Sequence, residues 1–313
     1  MNLTELSPSR YIGRSTPFPY IIYASDYSPL SSGIRAMHLL CHALNRAGCE
    51  AYVMGSVTDP WLNTPTISLV RRQSMNLAGR LPIVIYPEVV TENPLDEAVV
   101  VRWLLNQPGR FRDNWRGSFG PNDLIFYHDK DFLVPGVTGT RLYMPECDIG
   151  TYNNLNNQYD GKRQGYVLYM SRFLKTGEPI PEFLKDATII SPENPRTHKQ
   201  LAEIYRRSEF LFTFERTAAV LEANLCGCPC VLMESSLLTE IPNQVMFGND
   251  GLAWGFTEEE AARAKRTVGE PWKIYQRHIE NFDVELDNFI EITQARAGQI
   301  ADLVRTARAA QSA

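Results

Sequence analysis

The chain has 313 residues, 44% of them hydrophobic and 21% charged, with a formal net charge of −5. That is enough apolar chain for two cores of ordinary domain size, and it excludes a disordered protein. The acidic balance excludes a nucleic-acid binder that works by broad phosphate neutralisation and leaves small molecules as the expected partners.

The opening MNLTELSPSRYIGRSTPFPY lacks an apolar signal core. YIIYAS is a continuous apolar run of the kind a strand buried on both faces requires, and DYSPLSSG is turn chemistry. IRAMHLLCHALNRAG places Ile34, Met37, Cys41 and Leu44 at helical spacing and stops at Gly48, before the second strand EAYVMG. This is a βαβ start, so a parallel sheet is expected. LPIVIYPE (81–88) reads as a strand, PLDEAVVVRWLLNQPG (94–109) as a helix, NDLIFYHDKDF (122–132) as a strand running into a polar loop, and TRLYMPECD as one more strand. IGTYNNLNNQYDGKRQG, rich in Asn, Gly and Gln, then reads as a linker.

A second alternating series follows: YVLYMSRF strand, PIPEFLKD helix, ATIIS strand, RTHKQLAEIYRRS helix, EFLFTF strand, TAAVLEANLCG helix and PCVLM strand. From residue 256 onwards the chain looks helical throughout. The expected fold is α/β, with two doubly wound Rossmann-like domains facing across a cleft and a helical C-terminal segment. The expected boundaries are 1–150, a linker at 151–165, a second domain at 166–285, and C-terminal helices at 286–313 that pack back on the first domain. Ligands of such domains bind at the carboxyl ends of the strands.

FTFERTAAVLEANLCGCPCVLM carries the chemistry. Glu215 ends a strand, and Glu222 lies on the following helix, where a carboxylate suits a pair of vicinal hydroxyls such as those of a ribose. Between them Arg216, Thr217 and Ala218 open the helix, whose N–H groups and dipole favour an anion. Cys226, Cys228 and Cys230 alternate in a strand entry and lack the paired spacing of a zinc site, so they read as buried thiols. His38 and His42, four apart on one helix, lack a third ligand and read as ordinary helix-face histidines.

The E…LEANLCGCPCVL element resembles the sugar-nucleotide-binding motif of GT-B fold glycosyltransferases, in particular the mostly retaining, family 4-like enzymes of bacterial polysaccharide and glycolipid synthesis. The spacing between the glutamates is one residue shorter than is usual there. By this resemblance Glu222 holds the nucleotide ribose and Glu215 approaches the donor sugar. YASDYSPLSSGIRAMHLL is similar to the family's first loop and Arg-bearing helix, with Ser32, Gly33 and Arg35 at the corresponding places. FYHDKD resembles the loop whose histidine contacts the transferred sugar, here His128 with Asp129 beside it. YMSRFLKTGEP resembles the pair that neutralises the donor diphosphate, implying Arg172 and Lys175.

The implied activity is transfer of a hexosyl or deoxyhexosyl group from a nucleoside diphosphate sugar to a saccharide or lipid-linked acceptor, without metal or other cofactor. Retention is implied by the resemblance alone. Asp26, Glu88 and Asp129 sit at expected strand ends and are the candidate acceptor-side bases. A sugar-nucleotide 2-epimerase and a non-catalytic sugar-binding or partner-binding relative are the alternatives. The cysteine usage and the absence of a spanning stretch lead us to expect a cytoplasmic protein, with peripheral association at the inner membrane face if the acceptor is lipid-linked.

Overall fold

The computed structural model describes residues 16–29, 31–55, 57–77, 80–109 and 118–311. The opening segment read as lacking a signal core, MNLTELSPSRYIGRSTPFPY, lies largely outside them. Contacts divide the chain into two compact units, a first that runs to Glu146 and resumes at Glu280, and a second comprising Cys147–Ile279.

The first unit contains β1 (Tyr20–Ile22), α1 (Ser32–Arg46), β2 (Ala51–Val53), α2 (Leu69–Leu77), β3 (Ile83–Pro87), β4 (Val99–Leu104), β5 (Leu124–Tyr127) and β6 (Thr140–Arg141). Its sheet has the order β2-β1-β3-β4-β5-β6, and every pairing is parallel. Strands β1 to β3 are continuously apolar because both faces are covered. Tyr20, Ile22, Ile83, Ile85, Val99 and Val101 face a core shared with Met37, Leu40 and Leu44 of α1. Ile21, Val84, Tyr86 and Val100 face the opposite core with Ile67, Met75 and Leu95.

One element departs from the sequence reading. Residues 94–109, read as a helix, hold strand β4 instead, and all of Val99–Leu104 is buried. Three consecutive β-branched valines favour a pleated surface. Glu92 and Asp96, both at positive φ, make the turns that lead into it. Arg102, 1% exposed, donates to Asp123 at 2.7 Å and to the carbonyl of Val90 at 3.0 Å, which compensates its charge inside the sheet.

The second unit contains β7 (Tyr166–Tyr169), β8 (Thr188–Ile190), α3 (His198–Arg207), β9 (Phe210–Thr213), α4 (Ala219–Leu225), β10 (Cys230–Leu232), α5 (Gln244–Phe247), β11 (Leu252–Trp254) and α6 (Glu258–Thr267). Its sheet, again wholly parallel, runs β11-β10-β9-β7-β8. PIPEFLKD, read as a helix, forms only a 3-10 turn at Glu182–Leu184; Pro181 disfavours helical geometry at Ile180, so the segment is too short for more than a turn. Residues 151–165 pack within this unit. Tyr152 is buried, and Arg163 donates to the carbonyls of Tyr205 at 3.0 Å and Cys226 at 2.9 Å.

Helix α7 (Glu270–Gln311) starts in the second unit, and its later residues Phe282, Leu286, Phe289, Ile290 and Ala297 enter the first unit's α1-side core. Among the described residues, no helix is long and apolar enough to cross a membrane. The α/β class with two doubly wound parallel units and a helical C-terminal segment is thus the one expected from the sequence.

Candidate functional site

In the second unit the chain leaves β7 for β8 on one side and returns to β9 on the other, so the loops after β7 and β9 part in opposite directions. That divergence is where open parallel sheets receive ligands. Glu215 stands there, 1% exposed. Its carboxylate accepts from the backbone N–H of Ser171 at 3.1 Å and of Phe173 at 2.6 Å, and from Arg172 Nε at 3.3 Å. Arg172 also donates to the carbonyl of Arg216. The structure therefore brings Arg172, Glu215 and Arg216 together, with Glu215 fastening the loop after β7 to the loop after β9.

Lys175 closes the 3-10 turn Phe173–Lys175 and is exposed. Phe173 anchors that turn by stacking on Phe214, ring centroids 4.4 Å apart. The turn thus carries the guanidinium that Glu215 holds and, three residues on, an exposed ammonium, two charges that can meet a diphosphate.

Thr217 and Ala218 lead into α4. The expected row of open N–H groups is partly occupied by the turn itself, since Ala219 N–H donates to Thr217 Oγ1 at 3.2 Å and Glu222 N–H to the Ala218 carbonyl at 3.2 Å. Glu222 lies in the first turn of α4 and is 6% exposed. Helix α3 packs on α4, and Tyr205 of α3 is fully buried. Burial pushes the Tyr205 phenol well above its ordinary value, and the negative charge of Glu222 pushes it the same way.

The thiols that dominate the motif are packing. Cys226, Cys228 and Cys230 are free and buried. Burial raises the first two to about 12, so they lack the thiolate character that reactivity requires.

In the first unit the corresponding divergence lies between β1 and β3. Asp26, after β1, is exposed and its Oδ1 accepts from Val57 N–H at 2.9 Å. Glu88, after β3, is 6% exposed and its Oε2 accepts from Leu105 N–H at 3.0 Å. Burial raises the Glu88 carboxyl to about 7, against the opposing pull of backbone N–H groups at Leu105, Glu88 and Asn106. A carboxyl near 7 is matched to proton transfer at neutral pH.

Ser32 and Gly33 open α1, with Ser31 Oγ accepting from Ile34 N–H at 3.4 Å as the N-cap. A side chain added at Gly33 would meet Leu105 at 4.0 Å, which places the start of α1 over the loop that Glu88 holds. Arg35 donates to Glu146 through Nε at 3.0 Å and to the Pro29 carbonyl at 2.7 Å.

His128 follows β5. Its Nδ1 accepts from Met144 N–H at 3.3 Å, and its ring lies 4.4 Å from that of Tyr143. A neutral imidazole held this way carries its proton on Nε2, which is then a donor. Asp129 is 1% exposed and caps a 3-10 turn by accepting from Asp131 N–H at 3.0 Å.

Sequence reasoning did not find the backbone partners of Glu215 and Glu88, nor Tyr205. The alternation of the strands pointed to where the glutamates stand but not to what they accept from, because those N–H groups belong to loops far along the chain.

No protein-family model and no curated protein matches the chain. Solved structures that resemble it include the glycosyltransferase SnogD from Streptomyces nogalater, at 13% identity and a TM-score of 0.46 over 91% of this chain and 99% of that one. Two others are AviGT4, a glycosyltransferase involved in avilamycin A biosynthesis (11%, 0.43, over 91% and 98%), and WaaG, a glycosyltransferase involved in lipopolysaccharide biosynthesis (9%, 0.43, over 91% and 99%). At these identities and TM-scores the likeness says nothing about activity, and the fold stands on the sheet topology described above.

Proposed function

We propose that the chain is a GT-B type glycosyltransferase that moves a sugar from a nucleoside diphosphate sugar to a saccharide or lipid-linked acceptor, in the synthesis of a surface polysaccharide or glycoconjugate. One observation carries the reading. At the β7/β9 divergence a buried glutamate fixes an arginine-bearing turn, and a second glutamate follows on the next helix.

In this reading Glu222 accepts from the ribose hydroxyls. Arg172 and Lys175 offset the charge that develops on the departing diphosphate, as preorganised cations do without a metal. Glu215 keeps Arg172 in place and contributes its charge beside the donor. The Nε2–H of His128 donates to an oxygen of the transferred sugar. Ser32 and Gly33 offer the start of α1 to the same ligand. The resemblance supports retention; Glu88, with its carboxyl near 7, is the base for an inverting route. A cytoplasmic setting, with the chain at the inner membrane face when the acceptor is lipid-linked, suits such a donor.

Calorimetric titration with UDP, GDP, TDP and CMP tests the reading. One diphosphate is expected to bind, and Arg172→Ala to weaken it about tenfold or more while binding of the matching nucleoside hardly changes, since charge-assisted hydrogen bonds are the strong ones. Absence of binding by every nucleotide at millimolar concentration would sink the proposal. Given a donor, the anomeric configuration of the product, read by NMR, decides between retention and inversion.

A further inference from the structure

We propose that Tyr205 is the positioning residue for Glu222: its hydroxyl donates to the Glu222 carboxylate in the nucleotide complex and turns that carboxylate towards the ribose diol. The inference rests on the nucleotide-sugar reading above and adds to it a residue outside the paired-glutamate motif.

The Tyr205 hydroxyl is buried and has no hydrogen-bond partner among the described residues. A buried donor left in that state works against stability, whereas a phenylalanine of the same shape would not. The ring itself is held in place. Tyr152 lies 6.3 Å away by ring centroids, and the Tyr205 carbonyl accepts from Arg163. Helix α3, which carries Tyr205, packs on α4, which carries Glu222, and Glu222 is the charged group that acts most strongly on the buried phenol. Because burial and that carboxylate both push the phenol upwards, it stays protonated at any working pH and can only donate to Glu222. An O–H donating to a carboxylate is among the stronger hydrogen bonds. A carboxylate oxygen so engaged leaves the other to face the ligand.

The test compares Tyr205→Phe with the wild type, using whichever of UDP, GDP or the ribose form of TDP binds and its 2′,3′-dideoxy counterpart lacking both sugar hydroxyls. The variant is expected to weaken the hydroxyl-bearing nucleotide about tenfold, equivalent to about 1.4 kcal/mol, and to leave the dideoxy form unchanged. The melting temperature of the free protein stays level or rises. In a Glu222→Ala background, the further Tyr205→Phe change is expected to cost less than about twofold, since the two residues act as one unit.

Equal weakening of both nucleotides would mark Tyr205 as structural and overturn the inference. So would unchanged affinity in a protein whose wild type binds nucleotide, and either result leaves the proposed function standing. A wild type that binds no nucleotide removes the function and this inference together.

Discussion

Glu88 and Glu215 hold equivalent stations in the two sheets. Each stands just past the carboxyl end of a strand, and each accepts from backbone N–H groups in the loop after the neighbouring strand, Leu105 for Glu88 and Ser171 and Phe173 for Glu215. Such a carboxylate ties two loops together at the ligand-receiving edge of a parallel sheet. For Glu88 the burial cost dominates, and the carboxyl rises from 4.5 to about 7. A group whose folded pKa lies above its unfolded value stabilises fully below the unfolded pKa and loses that contribution as pH rises through the folded one. Stability from Glu88 is therefore expected to fall between about pH 4.5 and 7, by on the order of 3 kcal/mol at 1.36 kcal/mol per unit. Glu88→Gln should flatten that slope, which urea midpoints measured from pH 5 to 8 would show; an unchanged slope would mean that the carboxylate is not held protonated. His38 and His42 act in the opposite sense. Burial lowers both from 6.5, so their contribution is full above pH 6.5 and is lost as pH falls below it. His42→Gln is expected to reduce the loss measured between pH 6.5 and 5.

At the scale of elements, the two βα units end their helices alike but under different constraint. Gly48 after α1 and Gly227 after α4 both adopt positive φ, 82° and 72°. Each sits in a left-handed helix-ending turn, with Cys49 N–H donating to Leu44 O and Cys228 N–H to Ala223 O. A side chain added at Gly48 meets nothing within 4 Å, whereas at Gly227 it lands 2.6 Å from Asn154 Cγ and 2.7 Å from an Arg163 nitrogen. Gly48→Ala should therefore cost only the left-handed strain, about 1–2 kcal/mol. Gly227→Ala should cost about 1–3 kcal/mol more, because Arg163 must give up bonds to Asn154 and to the Cys226 carbonyl. Chemical denaturation of both variants measures the difference, and equal costs would refute the clash. Gly48 was legible as a helix end because the apolar period stops beside it. The Gly227 constraint was not, since it comes from side chains in a segment that composition marks only as polar. The misreading of 94–109 has a related cause. An apolar run flanked by Pro and Gly suits a buried strand or a buried helix equally, and only β-branching separates them. The short β11 (Leu252–Trp254) escaped notice because its apolar run is only Leu-Ala-Trp, between Gly251 and Gly255, and lacks the β-branched residues that marked the other strands.

For the whole molecule, the decisive feature is that the first unit's core is completed from the other end of the chain. The sequence from residue 256 onwards reads as helix but does not say which apolar side chains leave the surface, because that depends on where α7 docks. Phe289 is fully buried, its ring 4.7 Å from Phe126 and 6.0 Å from Tyr20 by centroids. One helical turn later Thr293 meets the Tyr20 hydroxyl at 2.8 Å, and Glu285 holds Arg141 at 2.6 Å and Tyr143 N–H at 2.7 Å. Burying a large apolar side chain is worth about 1.5–3 kcal/mol, so Phe282, Leu286, Phe289 and Ile290 together contribute about 6–12 kcal/mol. That matches the whole stability of an ordinary domain, about 5–15 kcal/mol. A chain ending at Ile279 is accordingly expected to lose cooperative folding of its first unit, seen as rapid proteolysis within residues 16–146. Phe289→Ala, which removes one side chain without shortening the helix, should cost about 3–5 kcal/mol. If the truncated chain instead resisted protease and unfolded at the full-length midpoint, α7 would be an appendage, and the β1–β6 sheet would have to be stable with its α1-side face open to water.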